Sequence, residues 1–257
     1  HEQGGMMTSY ATKDPAGFSD EALVQIHRVN QRLSVAIKVT TREQMAVNIA
    51  NTYLGHAAGK RVIEGSIRQG DGEHIDAVIV YIDLRGSTAM ADSLPAEVFM
   101  QNLHAFFEAK AAPILDEGGE ILTYIGDAIM GIFPYCTQGI GWTKREACQA
   151  AVRAMVEADK RLTELNENRT AIGLEPLRSG TAFHVGSLLY GNVGVAQRLQ
   201  FTVIGRTANE VARLEGLTKE LSMSVLASAE FAHEVALPWC HLGPMTLRGV
   251  NRPIDVY

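Results

Sequence analysis

The 257-residue sequence is 46% hydrophobic and 20% charged, near the soluble globular average, so it can bury a full core as one large domain or one ordinary domain with an extension. A net charge of −6 with no basic stripe excludes a general binder of nucleic acid or anionic membrane, and leaves room for a local basic pocket holding one triphosphate. No run nears the roughly eighteen apolar residues of a membrane span. In chain order, His1 to Met7 lacks signal-peptide layout and reads as an expression scar or cut end, with further sequence upstream expected in a natural parent. Residues 1–18 are polar and small, a tail. From Ser19 to about Gly59, Leu23, Ile26, Val29 (or Asn30), Leu33, Ala36 and Ile37 fall on one helical stripe; Lys38 to Arg42 interrupts it, and a second piece carries Met45, Ala46, Ile49 and Leu54. That stripe suits packing within the chain at least as well as packing on a second copy.

Arg68 to Glu73 reads as a linker before the apolar run Ala77 to Ile82, a buried strand that ends at Asp83 and enters the glycine-containing turn Leu84-Arg85-Gly86-Ser87-Thr88. A helix is expected from Pro95 to Glu117, begun by Ser93 and ended by Gly118-Gly119. Ile121 to Phe133 then reads as a tight hairpin with Gly126-Asp127 at its tip. Thr143-Lys144-Arg145-Glu146 matches a capping box, followed by a helix with alanines at helical spacing. Strands are expected at Ser179–Val185 and Leu199–Ile204, joined through Gly186 to Gly194, with Tyr190 to Gly194 as a turn. A helix follows over Thr207–Lys219, then short strands near Ser224–Ala227, Met245–Arg248 and Ile254–Tyr257. The predicted fold class is α/β, a ferredoxin-like βαβ–hairpin sandwich with a mixed sheet and an N-terminal helical extension. The division expected is 1–18, 19–74 and 75–257.

Cys136, Cys148 and Cys240 are odd in number and lack metal-binding spacing, which suits structural thiols in a reducing cytoplasm. His184 sits on an apparent core strand and reads as structural. Asp83 and Asp127 carry the first chemical hypothesis. A strand end and a hairpin tip side by side would offer two carboxylates to one hard divalent cation, with substrate phosphates completing its shell. Taken singly, aspartates in such turns are usually caps; the paired setting points to phosphoryl or nucleotidyl transfer instead.

Val80 to Thr88, Tyr124 to Asp127 and Phe201 to Glu215, closed by Arg248-Gly249-Val250 with Pro253 to Tyr257, resemble the class III adenylyl/guanylyl cyclase catalytic domain in the same order. The resemblance covers about Ile75 to Tyr257. Asn51 to Gly55 and Gly65 to Gly72 look like the segment preceding cyclase domains in some bacterial members, which would make residues 19–74 a helical linker or transducer. The resemblance implies that Asp83 and Asp127, with the Leu84 carbonyl, bind two Mg²⁺ or Mn²⁺ ions per site. One ion would activate the ribose 3′-hydroxyl and the other would hold the triphosphate. Arg85, Gly86, Ser87 and Thr88 would bind phosphate, and Arg248 matches a triphosphate-contacting position, where a structural salt bridge is almost as good a reading. Asn209 would orient the ribose and Arg213 would stabilise charge at the α-phosphate; the bland alternative is a solvated helix face with Arg213 paired to Glu210 or Glu215. Thr202 matches the threonine of the bacterial-type base pocket, whereas Thr123 stands where the family commonly has a purine-reading lysine.

These matches imply an adenylyl cyclase making cyclic AMP and pyrophosphate from ATP, as a cytoplasmic homodimer with shared sites and an upstream sensor domain. A guanylyl or dual-specificity cyclase and a non-catalytic, nucleotide-binding regulatory module are the alternatives.

Overall fold

The computed structural model describes residues 7–66, 68–136 and 140–257. The chain divides between Gly65 and Ser66 into two compact units. The first holds α1 (Asp20–Leu54) and α2 (His56–Ile63). Ser19 caps α1 by accepting from the Ala22 N–H at 3.2 Å. The break expected at Lys38 to Arg42 is absent: Thr40 returns its hydroxyl to the Ala36 carbonyl at 3.1 Å, and α1 continues to Gly55, whose φ of 82° ends it. Leu23, Val29, Leu33, Ile37, Met45 and Ile49 are all exposed. Among the described residues, no helix is long and apolar enough to cross a membrane.

The second unit is built on β1 (Gly72–Leu84), the centre of a sheet ordered β2-β3-β1-β4-β5. Here β2 is Glu120–Ile125, β3 Ala128–Tyr135, β4 Ser179–Val195 and β5 Arg198–Ile204. Among the described strands, only β6 (Val225–Ala227), paired to β4, runs parallel to its neighbour. Strand alternation sorts β1 into two faces. Val78, Val80, Ile82 and Leu84 join the core with α4 (Ala96–Asp116) and α5 (Lys144–Ala171), while Ala77 and Ile79 join the core with α6 (Arg206–Glu220). Each valine or isoleucine so buried contributes roughly 1.5–3 kcal/mol. The predicted mixed α/β sandwich is the observed one.

Three local readings are corrected. Ser93 does not begin the long helix: its hydroxyl bonds back to the Ala89 carbonyl at 2.7 Å, ending a short α3 (Ser87–Ser93), and α4 starts separately behind Pro95. The glycine-rich stretch 186–194 is strand rather than a joint with a turn at Tyr190 to Gly194. Its glycines answer close approach: a Cβ on Gly191 would lie 2.5 Å from Gly72 Cα, and one on Gly186 would lie 2.6 Å from Thr207 Cγ2. β4 can therefore run unbroken, pairing with β1 and then β5. Finally, α7 is Ala229–Ala232, and β7 is Gly243–Met245, not Met245–Arg248. It pairs with β8 (Ile254–Val256) in a separate sheet, and Arg248 falls in the turn between them.

Buried charged groups find partners, whereas the Trp239 indole N–H is buried without one among the described residues. His184, 2% exposed, donates from Nε2 to Glu210 at 3.1 Å and accepts the Ser228 hydroxyl on Nδ1 at 2.8 Å; a carboxylate can only accept, which fixes the tautomer. Burial holds its pKa below the usual imidazole value, as a structural role requires. Burial likewise pushes the Cys148 thiol up to about 12, while Cys136 and Cys240 are exposed free thiols. Lys110 of α4 is fully buried and pairs with Asp159 of α5 at the rim of the core. Asp159→Ala strands that ammonium and is expected to cost about 2 kcal/mol in urea unfolding, discounted for the exposed aspartate, whereas Lys110→Met should be near neutral. Equal losses in the two variants would show that packing, not charge, holds this joint.

Candidate active site

The site begins with a register. In the β1–β3 ladder Asp83 stands opposite Ala128, which sets Asp127 of the β2–β3 turn beside it. Gly126, at φ +63°, makes that turn, and Gly86, at φ +73°, turns the chain from β1 into α3. Burial is the main force raising the pKa of Asp83, and the neighbouring Asp127 carboxylate adds to it. Burial and the charge of Asp83 likewise raise Glu215. Tyr81, two residues before Asp83 on the same strand face, is raised by burial and then by Asp83, Glu215 and Asp127, with Arg213 opposing. A desolvated cluster of negative charge thus sits at the end of β1, which is the setting a divalent cation relieves.

Asp83 and Asp127, with Leu84 closing the strand, are therefore fit to hold such an ion. Among the described residues no group of three or more metal-binding side chains occurs, so the protein would supply a sparse carboxylate set of the kind Mg²⁺ sites use.

Arg85 is engaged elsewhere. Its N–H donates to the Arg178 carbonyl at 2.8 Å, its Nη1 pairs with Glu215 at 3.2 Å, and its Nη2 hydrogen-bonds Thr218. Glu215 is 4% exposed and needs a counter-charge, so the Arg85 guanidinium turns to α6 rather than to a phosphate. Gly180 of β4, opposite Asp83, leaves the room: a Cβ there would lie 2.6 Å from Arg85 Cζ. Gly86, Ser87 and Thr88 remain at the start of α3, where first-turn N–H groups lack helical partners.

On α6, Asn209 and Arg213 share the exposed face, whereas Glu215, about 200° round from Arg213, faces the β1 end. The bland partners proposed for Arg213 are taken. Glu210 binds His184 and sits 3.2 Å from Arg206, and Glu215 binds Arg85. Thr123 on β2 and Thr202 on β5 belong to strands at opposite ends of the sheet order, yet those strands come near each other, and Tyr190 of β4 donates to Glu120 of β2 at 3.3 Å. The Thr123 hydroxyl donates to the Tyr124 carbonyl at 3.2 Å. Arg248 is exposed on its turn. Sequence reasoning missed Lys219, whose ammonium lies 2.6 Å from Asp83 Oδ2; no local pattern signalled it.

No protein-family model matches the chain. An adenylate cyclase of Anabaena cylindrica is 31% identical over 179 residues, 69% of this chain and 34% of that protein. The crystal structure of the guanylyl cyclase Cya2 superposes with a TM-score of 0.61 at 26% identity, over 72% of this chain and 91% of that one. The adenylyl cyclase CyaB from P. aeruginosa, 24% identical with a TM-score of 0.64, covers 72% of this chain and 94% of its own, and shares the fold. The chain carries a cyclase domain of the class III adenylyl/guanylyl type. It spans about a third of the length of the curated relatives it matches.

Proposed function

We propose that this chain is an adenylyl cyclase acting as a homodimer, forming 3′,5′-cyclic AMP and pyrophosphate from ATP. The observation that carries the reading is the β1–β3 register, which sets Asp83 opposite Ala128 and so beside Asp127 at the end of a desolvated strand, while α6 presents Asn209 and Arg213 outward. Asp83, Asp127 and the Leu84 carbonyl would hold two Mg²⁺ or Mn²⁺ ions, which supply activation of the 3′-hydroxyl and charge neutralisation on the triphosphate. The N–H groups of Ser87 and Thr88, with Gly86 allowing close approach, bind phosphate oxygens. Asn209 holds the ribose in line with the α-phosphorus, and Arg213, always ionised and with fixed donors, neutralises charge developing there. Asn209 and Arg213 lie on the exposed face of α6, open to a second subunit, so the metal aspartates of one subunit serve the α6 face of the other. Arg248 binds the triphosphate from its turn. Purified protein with Mn²⁺ and ATP or GTP, assayed for cyclic nucleotide, tests the activity; no product from either would leave a nucleotide-binding regulatory module.

Base choice rests on Thr123 and Thr202. A threonine hydroxyl is shorter than a lysine ammonium and uncharged, so it reads a purine edge only at close range or through water. ATP is expected to be preferred, with weak apparent affinity and appreciable turnover of GTP, since rejection depends on buried groups left unpaired by the wrong base. Thr123→Lys should sharpen the preference. Stringent ATP selectivity in the wild type, unchanged by the lysine, would assign base reading to other residues.

A further inference from the structure

The cation beside the paired aspartates comes from the chain itself. Lys219, in the last turn of α6, places Nζ 2.6 Å from Asp83 Oδ2, with its own side chain 54% exposed and that of Asp83 13% exposed. The placement is held by its neighbours: Glu215, one turn earlier on the same face, is tied to Arg85 and Thr218 at the foot of β1. An oxygen in contact with an ammonium cannot take a divalent ion in the same direction, because the two cations would repel at short range. A lysine ammonium is a point charge on a flexible four-carbon stem, and this one has water on its open side.

We propose that Lys219 is a displaceable counter-cation of the metal site, neutralising Asp83 in the metal-free protein and swinging into solvent as the divalent ion enters. This rests on the reading of Asp83 and Asp127 as metal ligands. The entering ion then competes with a tethered positive charge, so divalent affinity is lower than the two carboxylates alone would give. The chain keeps its carboxylates from repelling each other while empty, and fills the site only at a higher ion concentration.

Mn²⁺ titration of the nucleotide-free full chain, with unbound Mn²⁺ read from its electron paramagnetic resonance signal, tests this without turnover. Lys219→Met should bind Mn²⁺ about three- to tenfold more tightly than the wild type, the range expected for a partly screened charge. Lys219→Arg should stay near wild type, because charge and not bulk is the cause. Equal or weaker binding by Lys219→Met, or equal tightening by Lys219→Arg, overturns the counter-cation role. Asp83→Ala separates that failure from failure of the site: binding as tight as wild type in this variant would overturn the metal assignment and the inference together.

Discussion

Asp83→Ala or Asp127→Ala is expected to lower cyclic nucleotide formation about a thousandfold or more, because a catalytic metal supplies several kcal/mol of charge stabilisation and every 1.36 kcal/mol is tenfold in rate. The fold should survive. Asp83 has a raised pKa, so its ionised form is disfavoured in the folded protein, and its removal lifts a penalty rather than a contribution. The loss of the Lys219 pair opposes this, but that pair has an exposed lysine and is weak. Thermal melts of the two variants should therefore match the wild type while turnover, measured with saturating Mn²⁺, disappears. Substantial turnover in either well-folded variant would sink the carboxylate assignment.

The second large effect is recovery. Asp83→Ala and Arg213→Ala chains should each be inactive alone, and mixing them should restore about a quarter of wild-type activity, since half of the random dimers are mixed and each mixed dimer assembles one intact site of two. The geometry behind this is the division of α6: its inward face holds Arg85 through Glu215 and Asp83 through Lys219, and its outward face shows Asn209 and Arg213 to a neighbour. Sedimentation should show a dimer, and subunit exchange can be followed with differently tagged chains. A mixture that exchanges and stays dead would mean that Arg213 acts on its own subunit's metals or not at all.

Much of this site is legible in the sequence because its parts are local. The run Ala77 to Ile82 shows a strand, Gly126-Asp127 shows a hairpin tip, and the capping box at Thr143 forms as read, with Thr143 N donating to Glu146 at 2.8 Å. What escapes is whatever depends on a partner far along the chain. Gly186 to Gly194 looks like loop until β1 and β5 supply neighbours that a side chain would strike. Ser93 imitates a helix start because the same residue also suits a helix end just before a new helix, which Pro95 does begin. Arg85 reads as a phosphate ligand because Glu215, its actual partner, lies 130 positions further on and is buried only in the folded state. Lys219 and Asp83 are separated by 136 positions, and no local pattern joins them.

The side chains packed over Gly180 have a consequence for how this sequence can vary. Arg85 and Glu215 fill the volume that a β-carbon at Gly180 would need, and the two of them hold each other by charge. Positions 85, 180 and 215 therefore cannot drift one at a time. Alanine at 180 would displace the guanidinium; loss of the guanidinium would strand a buried glutamate; loss of the glutamate would leave a buried cation. Among relatives, a chain that has shed the arginine should also have shed the acid and gained freedom to carry a side chain at the glycine, so the three positions should change hands as a set.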